Sequence, residues 1–368
     1  MKPFEVERWF AEYEFKAAYN LAESCIQPLR LTEISALTDV PPLELVGDEP
    51  LGYVDAAGSP DLRQAIAGVC HASSPDEVLV TAGAIEANFL LHTALIQSGD
   101  VVICQYPAYQ QLYEVARWRG AEVRFWMLRR ENSYKPDLDE LRALATGRVK
   151  LIVLNNPHNP TGSVLDESQL REAFEIAASC GALVHVDEVY SGINHTQIAA
   201  ESRSISDRAI VTGSMSKAYG LSGARLGWVV GAREIVLECA KLRDYVSICP
   251  SYIGERLSLA LLRNRHKVLS RSNQIASTNF EIVKNWMAEK EHLIRWVAPQ
   301  AGVVCFPWFA KPLDSMQACT RLIEQCSVLL VPGTCFAHPE HVRLGFGYST
   351  PKLVDGLELF GQFLESNM

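Results

Sequence analysis

Short apolar runs alternate with amphipathic stretches through the middle of the chain. The apolar runs span 77–83, 101–107, 151–157, 182–188, 209–215 and 227–232. Between them, stretches such as IEANFLLHTALI and ESQLREAFEIAASCG repeat their apolar residues at helical spacing. A strand–helix alternation of this kind predicts an α/β fold with a largely parallel sheet covered on both faces. Ligands of such sheets bind outside the carboxyl ends of the strands, so the residues that follow each run are the candidates for chemistry.

The two ends of the chain have a different pattern from its middle. Residues 5–19 read as one amphipathic helix, in which Val6, Trp9, Phe10 and Tyr13 recur at helical spacing. Beyond the last strand the chain is mostly helical over 234–292, and a few strands and helices follow. We therefore expect an N-terminal segment that packs on the small domain and covers the strand ends where a ligand would bind, a large domain that holds this ligand, and a small C-terminal domain. These three parts are 1–45, 46–250 and 251–368.

Composition narrows the class of protein. The chain has 368 residues, and its formal net charge of −9 argues against a nucleic-acid partner, which would need a basic face. Its ten cysteines form no zinc-like spacing with one another or with histidine, so we expect no metal site and reduced thiols. The charged N-terminus does not resemble a secretory signal, and no apolar run is long enough to span a membrane. A cytoplasmic protein without membrane contacts is expected.

The segment SMSKAYGLSGARLGW, residues 214–228, contains the most informative lysine of the chain. Lys217 follows an apolar strand in a loop of small and hydroxyl residues, and Arg225 lies eight positions later. A lysine buried in this way suits Schiff-base chemistry, while Ser214 and Arg225 suit a phosphate, the arginine through a bidentate fork. A solvent-exposed loop lysine is the ordinary alternative for this segment taken alone.

Two further strand ends have polar residues suited to a cofactor ring. VHVDEVY places Asp187 at the end of a strand, where it could pair with a protonated ring nitrogen, and places Tyr190 three residues later. LIVLNNPHNPTG follows a strand with a rigid turn that could aim the Asn159 amide at a ligand oxygen. A helix cap for Asp187 and a simple tight loop for Asn159 are the structural alternatives.

Three other segments add weaker candidates. In TAGAIEANF, the amides of Gly83, Ala84 and Ile85 open a helix and could cradle a phosphate. Tyr109 follows a strand end and could stack on a ring or simply pack. Arg343, in an alternating strand, could clamp a carboxylate in a cleft or face solvent.

The order and spacing of these motifs resemble those of pyridoxal 5'-phosphate (PLP) enzymes of fold type I, in the class I/II aminotransferase family, over nearly the whole chain. The resemblance implies an aspartate aminotransferase-like fold with a seven-stranded, mostly parallel sheet and a smaller α+β domain. It also implies roles for the candidate residues. Lys217 would form the Schiff base with PLP and shuttle protons, and Arg343 would bind the substrate α-carboxylate together with Asn159.

The same resemblance implies how the remaining candidates would hold PLP. Asp187 would face the pyridine nitrogen, Tyr190 and Asn159 the ring hydroxyl, and Tyr109 the ring face. The phosphate would be bound by Gly83, Ala84, Ile85, Ser214 and Arg225. Tyr53, in LGYVDAAGSPDLRQAI, matches a tyrosine that reaches the partner subunit's phosphate, which implies a homodimer with shared active sites.

The N-terminal segment 6–29 resembles the start of capreomycidine and enduracididine synthases, in which a W-x-x-x-Y-x-F helix leads into a serine-containing loop over the substrate. Trp9, Tyr13, Phe15 and Ser24 match that pattern, whereas Glu23 and Cys25 replace smaller residues. This resemblance implies cyclodehydration of a hydroxy-L-arginine. A 3-hydroxyl would give the six-membered ring of capreomycidine, and a 4-hydroxyl would give the five-membered ring of enduracididine. The shorter length of this chain and the presence of Glu23 favour enduracididine. Glu12 and Glu23 are the hypothetical partners of the guanidinium group.

Other functions of this family stay open at this point. An ordinary class I/II aminotransferase would convert PLP to its pyridoxamine form and regenerate it with a keto acid. A C–S or β-lyase would release pyruvate. A PLP-sensing regulator would carry a basic DNA-binding domain, whereas the residues before the sheet lean acidic.

Overall fold

The chain is described over residues 1–367 of a computed structural model. The helices are α1 (Glu5–Tyr13), α2 (Leu31–Thr38), α3 (Pro42–Val46), α4 (Pro60–Val69), α5 (Ala84–Leu95), α6 (Gln111–Trp118), α7 (Leu138–Leu144), α8 (Glu167–Ser179), α9 (Ser202–Ile205), α10 (Arg233–Arg243), α11 (Tyr252–Arg263), α12 (Arg265–Glu289), α13 (Ser315–Cys326) and α14 (Thr350–Asn367). Short 3₁₀ turns occupy Pro75–Glu77, Arg130–Asn132, Ser222–Ala224 and Gly333–Phe336.

The strands complete this description. They are β1 (Tyr19–Asn20), β2 (Val78–Thr81), β3 (Val101–Tyr106), β4 (Glu122–Met127), β5 (Val149–Asn155), β6 (Leu183–Asp187), β7 (Ala209–Ser214), β8 (Gly227–Val230), β9 (Ile294–Arg295), β10 (Val304–Cys305), β11 (Trp308–Phe309), β12 (Val328–Leu329), β13 (Val331–Pro332) and β14 (Val342–Gly345).

The main sheet has seven strands within the described chain, in the order β2-β8-β7-β6-β5-β3-β4. All neighbours are parallel except β8, which runs antiparallel to both β2 and β7. The α/β class and the mostly parallel sheet are therefore confirmed. The edge strand β4 was not among the apolar runs of the sequence, because its alternating EVRFWM stretch is only partly buried.

Helices cover both faces of this sheet, and the alternation of side chains along β5 shows how. Ile152 and Leu154 lie in one apolar cluster with residues of α8, whereas Leu151 and Val153 lie in another with residues of α6. Because successive strand residues point to opposite faces, a strand covered on both sides must be apolar at every position. That requirement explains the continuous apolar runs, and it leaves the polar residues at the strand ends.

The N-terminal segment is joined to the C-terminal part of the chain. The helix expected over 5–19 ends at Tyr13, because the chain then turns so that β1 can pair in parallel with β12. The Trp9 indole also donates a hydrogen bond to the Leu330 carbonyl at 2.8 Å. Further along, Gly345 has no room for a Cβ because the backbone of Glu23 lies against it. These contacts fix residues 19–25 above the carboxyl ends of the main sheet. Within residues 1–367 no helix combines the length and apolarity needed to cross a membrane.

Candidate active site

A cavity of about 740 Å³ opens at the carboxyl ends of the sheet strands, within the usual size range of ligand sites. Its walls combine residues from the strand ends, from α5 and from the N-terminal segment. The polar lining residues are Glu7, Arg8, Glu14, Glu23, Ser24, Asn88, Tyr109, Gln111, Asn155, Asn159, Asp187, Tyr190, Ser214, Ser216, Lys217, Ser222, Arg225 and Arg343. Most of the residues that the sequence singled out therefore meet in one place.

Lys217 lies at the centre of this cavity, three residues after β7. Its Nζ donates a hydrogen bond to Ser24 Oγ at 2.8 Å and lies 3.4 Å from Cys25 Sγ. Burial disfavours the charge on this ammonium, whereas neighbouring Cys25 and Tyr190 favour it, and the balance raises the pKa of Lys217. The amine must lose a proton before it can attack an aldehyde, and the Ser24 hydroxyl is in position to share that proton.

Asp187 ends β6 and is buried against α5. Its Oδ2 accepts a hydrogen bond from Asn88 Nδ2 at 3.1 Å, and its Oδ1 accepts one from the Val189 amide at 3.2 Å. Burial raises the pKa of this carboxyl to about 6, although the two hydrogen bonds oppose the shift. Asp187 forms no ion pair within residues 1–367, although the charge of Lys217 acts on it, so this buried carboxylate can take a protonated ring nitrogen as its partner.

Arg343 and Asn159 also line the cavity and contact each other. Arg343 is 1% exposed, and its guanidinium donates to Asn159 Oδ1 at 3.3 Å and to the Ala22 carbonyl at 3.0 Å. Its Nε has no hydrogen-bond partner within residues 1–367. The Asn159 amide is itself held, because its backbone N–H donates to Asn155 Oδ1 at 2.6 Å. Tyr190, buried nearby, has a hydroxyl with no hydrogen-bond partner in the described chain. Such unmet polar atoms indicate a polar ligand.

The turn between β2 and α5 lies against Arg225. Gly83 has φ +88°, and a Cβ there would lie 2.8 Å from Arg225 Nη2. Gly227 is equally restricted, since its Cβ would lie 2.5 Å from the Gly83 carbonyl carbon. Ala84 and Ile85 begin α5, and among residues 1–367 no hydrogen bond from their amides is found, so these amides lie available beside a guanidinium. Helix amides and arginine together form a phosphate-binding cradle, to which Ser214 and Ser216 can add hydroxyls.

Tyr109 closes one side of the cavity and is fixed by the N-terminal segment. Its hydroxyl donates to Glu7 Oε1 at 2.7 Å, and its ring lies 4.7 Å from that of Phe4. Burial and the Glu7 carboxylate hold the pKa of Tyr109 well above its ordinary value. The ring is thus neutral and held on two sides, as a stacking surface should be.

Glu12, one of the two guanidinium candidates, does not reach the cavity. Its exposed side chain pairs with Lys16 at 3.0 Å. Helix periodicity explains the error, because at ~100° per residue Glu12 points about 140° away from Glu7, while Glu14 returns to the same side. Glu7, Phe10 and Glu14 all line the cavity.

Glu23 does line the cavity, and it lies beside Glu14. The pKa of Glu14 is raised by its partial burial and then by the nearby charge of Glu23. Within residues 1–367 neither carboxyl forms an ion pair with a lysine or arginine, although the Asn20 amide donates to Glu23 at 3.4 Å. Two neighbouring acids without a cation make this wall suitable for a positively charged group.

Tyr53, a further cofactor candidate, is not among the residues that line the cavity. It is 88% exposed in a loop before α4. Its assignment to a neighbouring subunit's phosphate therefore stays a prediction.

Several lining residues escaped the sequence argument. Asn88 lies inside an apolar helix, and Asn155 inside a strand end, where neither differs in pattern from a core polar residue. Glu7 and Glu14 gave a usable signal, since their seven-residue spacing places them on one face of a helix with Phe10. Ser216 and Ser222 lay within the lysine segment and were passed over.

Comparison with known proteins identifies the family. The model of the aminotransferase class I and II family matches residues 34–358. The chain belongs to this family. It is 32% identical to capreomycidine synthase of Streptomyces vinaceus over 98% of this chain and 93% of that protein. A PLP-dependent aminotransferase from Streptococcus suis superposes with a TM-score of 0.94 at 34% identity, covering 99% of this chain and 98% of the other. The PLP-dependent cyclase OrfR superposes with a TM-score of 0.93 at 29% identity, covering 100% and 98%.

Membership of this family makes the chain a PLP-dependent enzyme with an aspartate aminotransferase-like fold. The residues of the cavity fit that cofactor. A lysine, a buried carboxylate, an unpartnered tyrosine hydroxyl and a glycine-lined cradle beside Arg225 are the groups that its aldehyde, ring nitrogen, ring hydroxyl and phosphate require.

Proposed function

We propose that this family enzyme converts a hydroxy-L-arginine into a cyclic guanidino amino acid with loss of water. The observation that carries the proposal is the Glu14–Glu23 pair, which adds two neighbouring carboxyl groups, without an ion-pair partner among residues 1–367, to the cavity that contains Lys217 and Arg343. An amino acid with a cationic side chain would find a partner for each of its ends. The similarity to capreomycidine synthase and to a PLP-dependent cyclase supports the same conclusion.

Arg343 would bind the substrate α-carboxylate. Its side chain is buried, and one of its N–H groups has no partner, so a carboxylate would complete its hydrogen bonding. Asn159 is fixed against the same guanidinium and would orient it. This pairing would fix the α-carboxylate end of the substrate.

Lys217 would move the protons of the reaction. Bound PLP withdraws the electrons that remain when Cα loses its proton. Lys217 Nζ is the basic atom in reach of that proton, and Ser24, at 2.8 Å from it, is placed to pass a proton to the departing hydroxyl. The hydroxyl leaves as water, and a guanidino nitrogen forms the new C–N bond while losing a proton. The substrate therefore has the atomic composition of the product plus one water molecule.

Glu14 and Glu23 would hold the guanidino group. A carboxylate pair can accept two N–H donors and keep the reacting nitrogen near the carbon that loses the hydroxyl. We favour the 4-hydroxy substrate and the five-membered enduracididine ring, with the 3-hydroxy substrate and capreomycidine as the other form of the proposal.

An ordinary aminotransferase is the second candidate, favoured by the similarity to the Streptococcus suis enzyme. One experiment separates the two. The holoenzyme is incubated with L-arginine, 3-hydroxy-L-arginine or 4-hydroxy-L-arginine, and the products are read by mass spectrometry. Loss of water with all nitrogen retained from one hydroxyarginine is expected. A keto acid with conversion of PLP to its pyridoxamine form would reject cyclisation in favour of transamination. Pyruvate released from a cysteine conjugate, supplied in a separate incubation, would indicate a C–S or β-lyase.

We further propose that the enzyme is a homodimer in which Tyr53 serves the neighbouring subunit. Several large apolar side chains are exposed on the single chain, as expected for surfaces that a second copy covers. They include Leu43, Leu51, Tyr53, Tyr245, Val246 and Ile248. Sedimentation of the purified enzyme tests the dimer, which a monomer at working concentration would contradict.

A further inference from the structure

A line of buried polar side chains leads from Asp187 into the core, away from the cavity. Asn88 Oδ1 accepts from Thr212 Oγ1 at 2.7 Å, and Thr212 Oγ1 lies 2.9 Å from His185 Nε2. His185 Nδ1 in turn lies 3.0 Å from His92 Nε2. All four side chains are at most 1% exposed, and they come from α5, β6 and β7. No step of the proposed reaction uses them.

The donors and acceptors available on each side chain fix the direction of these hydrogen bonds. An ionised Asp187 only accepts, so Asn88 must present its NH₂ group to Asp187 and its oxygen to Thr212. The Thr212 proton is then committed to Asn88, so Thr212 must accept from His185 Nε2–H. His185 Nδ1 is left without a proton and must accept from His92 Nε2–H. Every donor therefore points towards Asp187.

If all these hydrogen bonds ran in the opposite direction, one buried donor would be left without an acceptor. Were Asp187 protonated and donating, each hydrogen bond would reverse, and His92 Nδ1 would carry a proton. That atom is buried and has no partner in the described chain. A buried N–H without an acceptor is rarer and costlier than a buried acceptor without a donor. The chain therefore favours the ionised form of Asp187 without placing a positive charge next to it.

We propose that Asn88, Thr212, His185 and His92 form a polarised hydrogen-bond chain that positions Asp187 and holds it as a carboxylate for the cofactor's ring nitrogen. These are positioning residues, since none but Asn88 reaches the cavity. The inference rests on the proposed pairing of Asp187 with that nitrogen, and not on cyclisation as the reaction.

The variant Thr212→Val tests the chain at its middle. It keeps the shape of the side chain but removes both hydrogen bonds of the hydroxyl, so the Asn88 amide loses its fixed orientation. We expect the Kd for PLP to rise roughly tenfold, the effect of one hydrogen bond to a charged group. We also expect the NMR shift of ¹⁵N-labelled PLP in the enzyme to move towards that of the unprotonated ring. Thr212→Ser, which restores the hydroxyl, should return both values towards wild type.

Thr38→Val is the matched control, because Thr38 is also buried but donates only to the Ile34 carbonyl within α2. It should leave the PLP Kd and the ¹⁵N shift unchanged. In an Asn88→Leu background, Thr212→Val should add nothing, since the link to Asp187 is already cut. Urea unfolding of each PLP-free variant shows whether it is folded.

Two outcomes separate the chain from the role of Asp187. If Asp187→Asn weakens PLP binding and shifts the ¹⁵N signal while Thr212→Val does neither, the hydrogen-bond chain is wrong and the pairing of Asp187 stands. If Asp187→Asn itself leaves both values unchanged, the pairing is wrong. Full additivity of Asn88→Leu and Thr212→Val would also overturn the chain.

Discussion

The floor and the cover of the cavity are built in different ways. The floor comprises the residues at the strand ends and in the loops after them, Asn159, Asp187, Tyr190, Ser214, Lys217 and Arg225. The cover is the N-terminal segment, with Glu7, Phe10, Glu14, Glu23, Ser24 and Cys25. The parallel sheet brings the floor together, because the carboxyl ends of its strands share one edge. The cover is held over the same cavity by contacts with distant parts of the chain, among them β1–β12 pairing, the Trp9–Leu330 hydrogen bond and the close approach of Glu23 to Gly345.

This difference suggests a division of labour that mutations can test. Changes in the floor should affect cofactor chemistry with every substrate. Changes in the cover should affect the choice of substrate and leave the bound cofactor unchanged. Each prediction below is a way to break that separation, and they run from the largest expected effect to the smallest.

Lys217→Ala should have the largest effect. Removing the group that moves the Cα proton should lower kcat by about 10³ to 10⁴, at the upper range of general acid–base effects. The fold should persist, because Ser24 and Cys25 can take water in place of the amine. Turnover is measured by mass spectrometry, and added methylamine should restore part of it. Lys267→Ala, which removes an exposed partner of Asp39, is the control.

Asp187→Asn should change stability and cofactor affinity in opposite directions. Burial raises the pKa of Asp187 to about 6, above the 3.8 of a free side chain. Between these pH values the unfolded chain has released the proton while the folded, PLP-free chain keeps it, so folding stability falls as pH rises through this window. Above pH 6 the full cost is present, on the order of 3 kcal/mol.

The PLP-free Asp187→Asn variant should therefore unfold at higher urea than wild type at pH 7, with the difference shrinking towards pH 4, while its PLP affinity falls. The exposed Asp48→Asn variant should show neither change. Equal stability of wild type and Asp187→Asn at pH 7 would mean that this carboxyl is not held in a costly environment.

How well the sequence predicts the site residues also differs between the floor and the cover. The floor could be predicted because apolar strands followed by polar residues leave a local signal, as in VHVDE and in the lysine segment. Glu12 was chosen for its place in the segment alone, whereas helix periodicity turns it about 140° away from Glu7 and out of the cavity lining. No local pattern shows that the chain turns after Tyr13 to meet β12. Asn88 was missed because a buried asparagine in an apolar helix acquires its meaning only from Asp187, which lies 99 residues away.

Glu14→Gln and Glu23→Gln test the cover. Each removes one charge from the wall proposed to face the guanidino group, so KM for the hydroxyarginine substrate should rise by about 10- to 100-fold, the effect of losing a charge-assisted hydrogen bond. The absorption spectrum and affinity of bound PLP should stay as in wild type. Glu12→Gln, on the other side of α1, is the matched control and should leave KM unchanged. An unchanged KM in both cavity variants would remove these residues from substrate binding.

Tyr53→Phe should have the smallest effect and the most specific one. If its hydroxyl donates to the phosphate in a neighbouring subunit, its loss should weaken PLP binding by roughly tenfold, about 1.5 kcal/mol.

Mixed dimers, in which one subunit carries Tyr53→Phe and the other carries Lys217→Ala, show which subunit supplies the hydroxyl. In such a dimer one site combines both substitutions, while the other combines an intact Lys217 with an intact Tyr53 from the opposite chain. That second site should bind PLP covalently with wild-type affinity. If Tyr53 instead serves its own chain, every site with an intact Lys217 keeps the weakened affinity. The floor would then be completed within one subunit, and the apolar surface around Tyr53 would need another explanation.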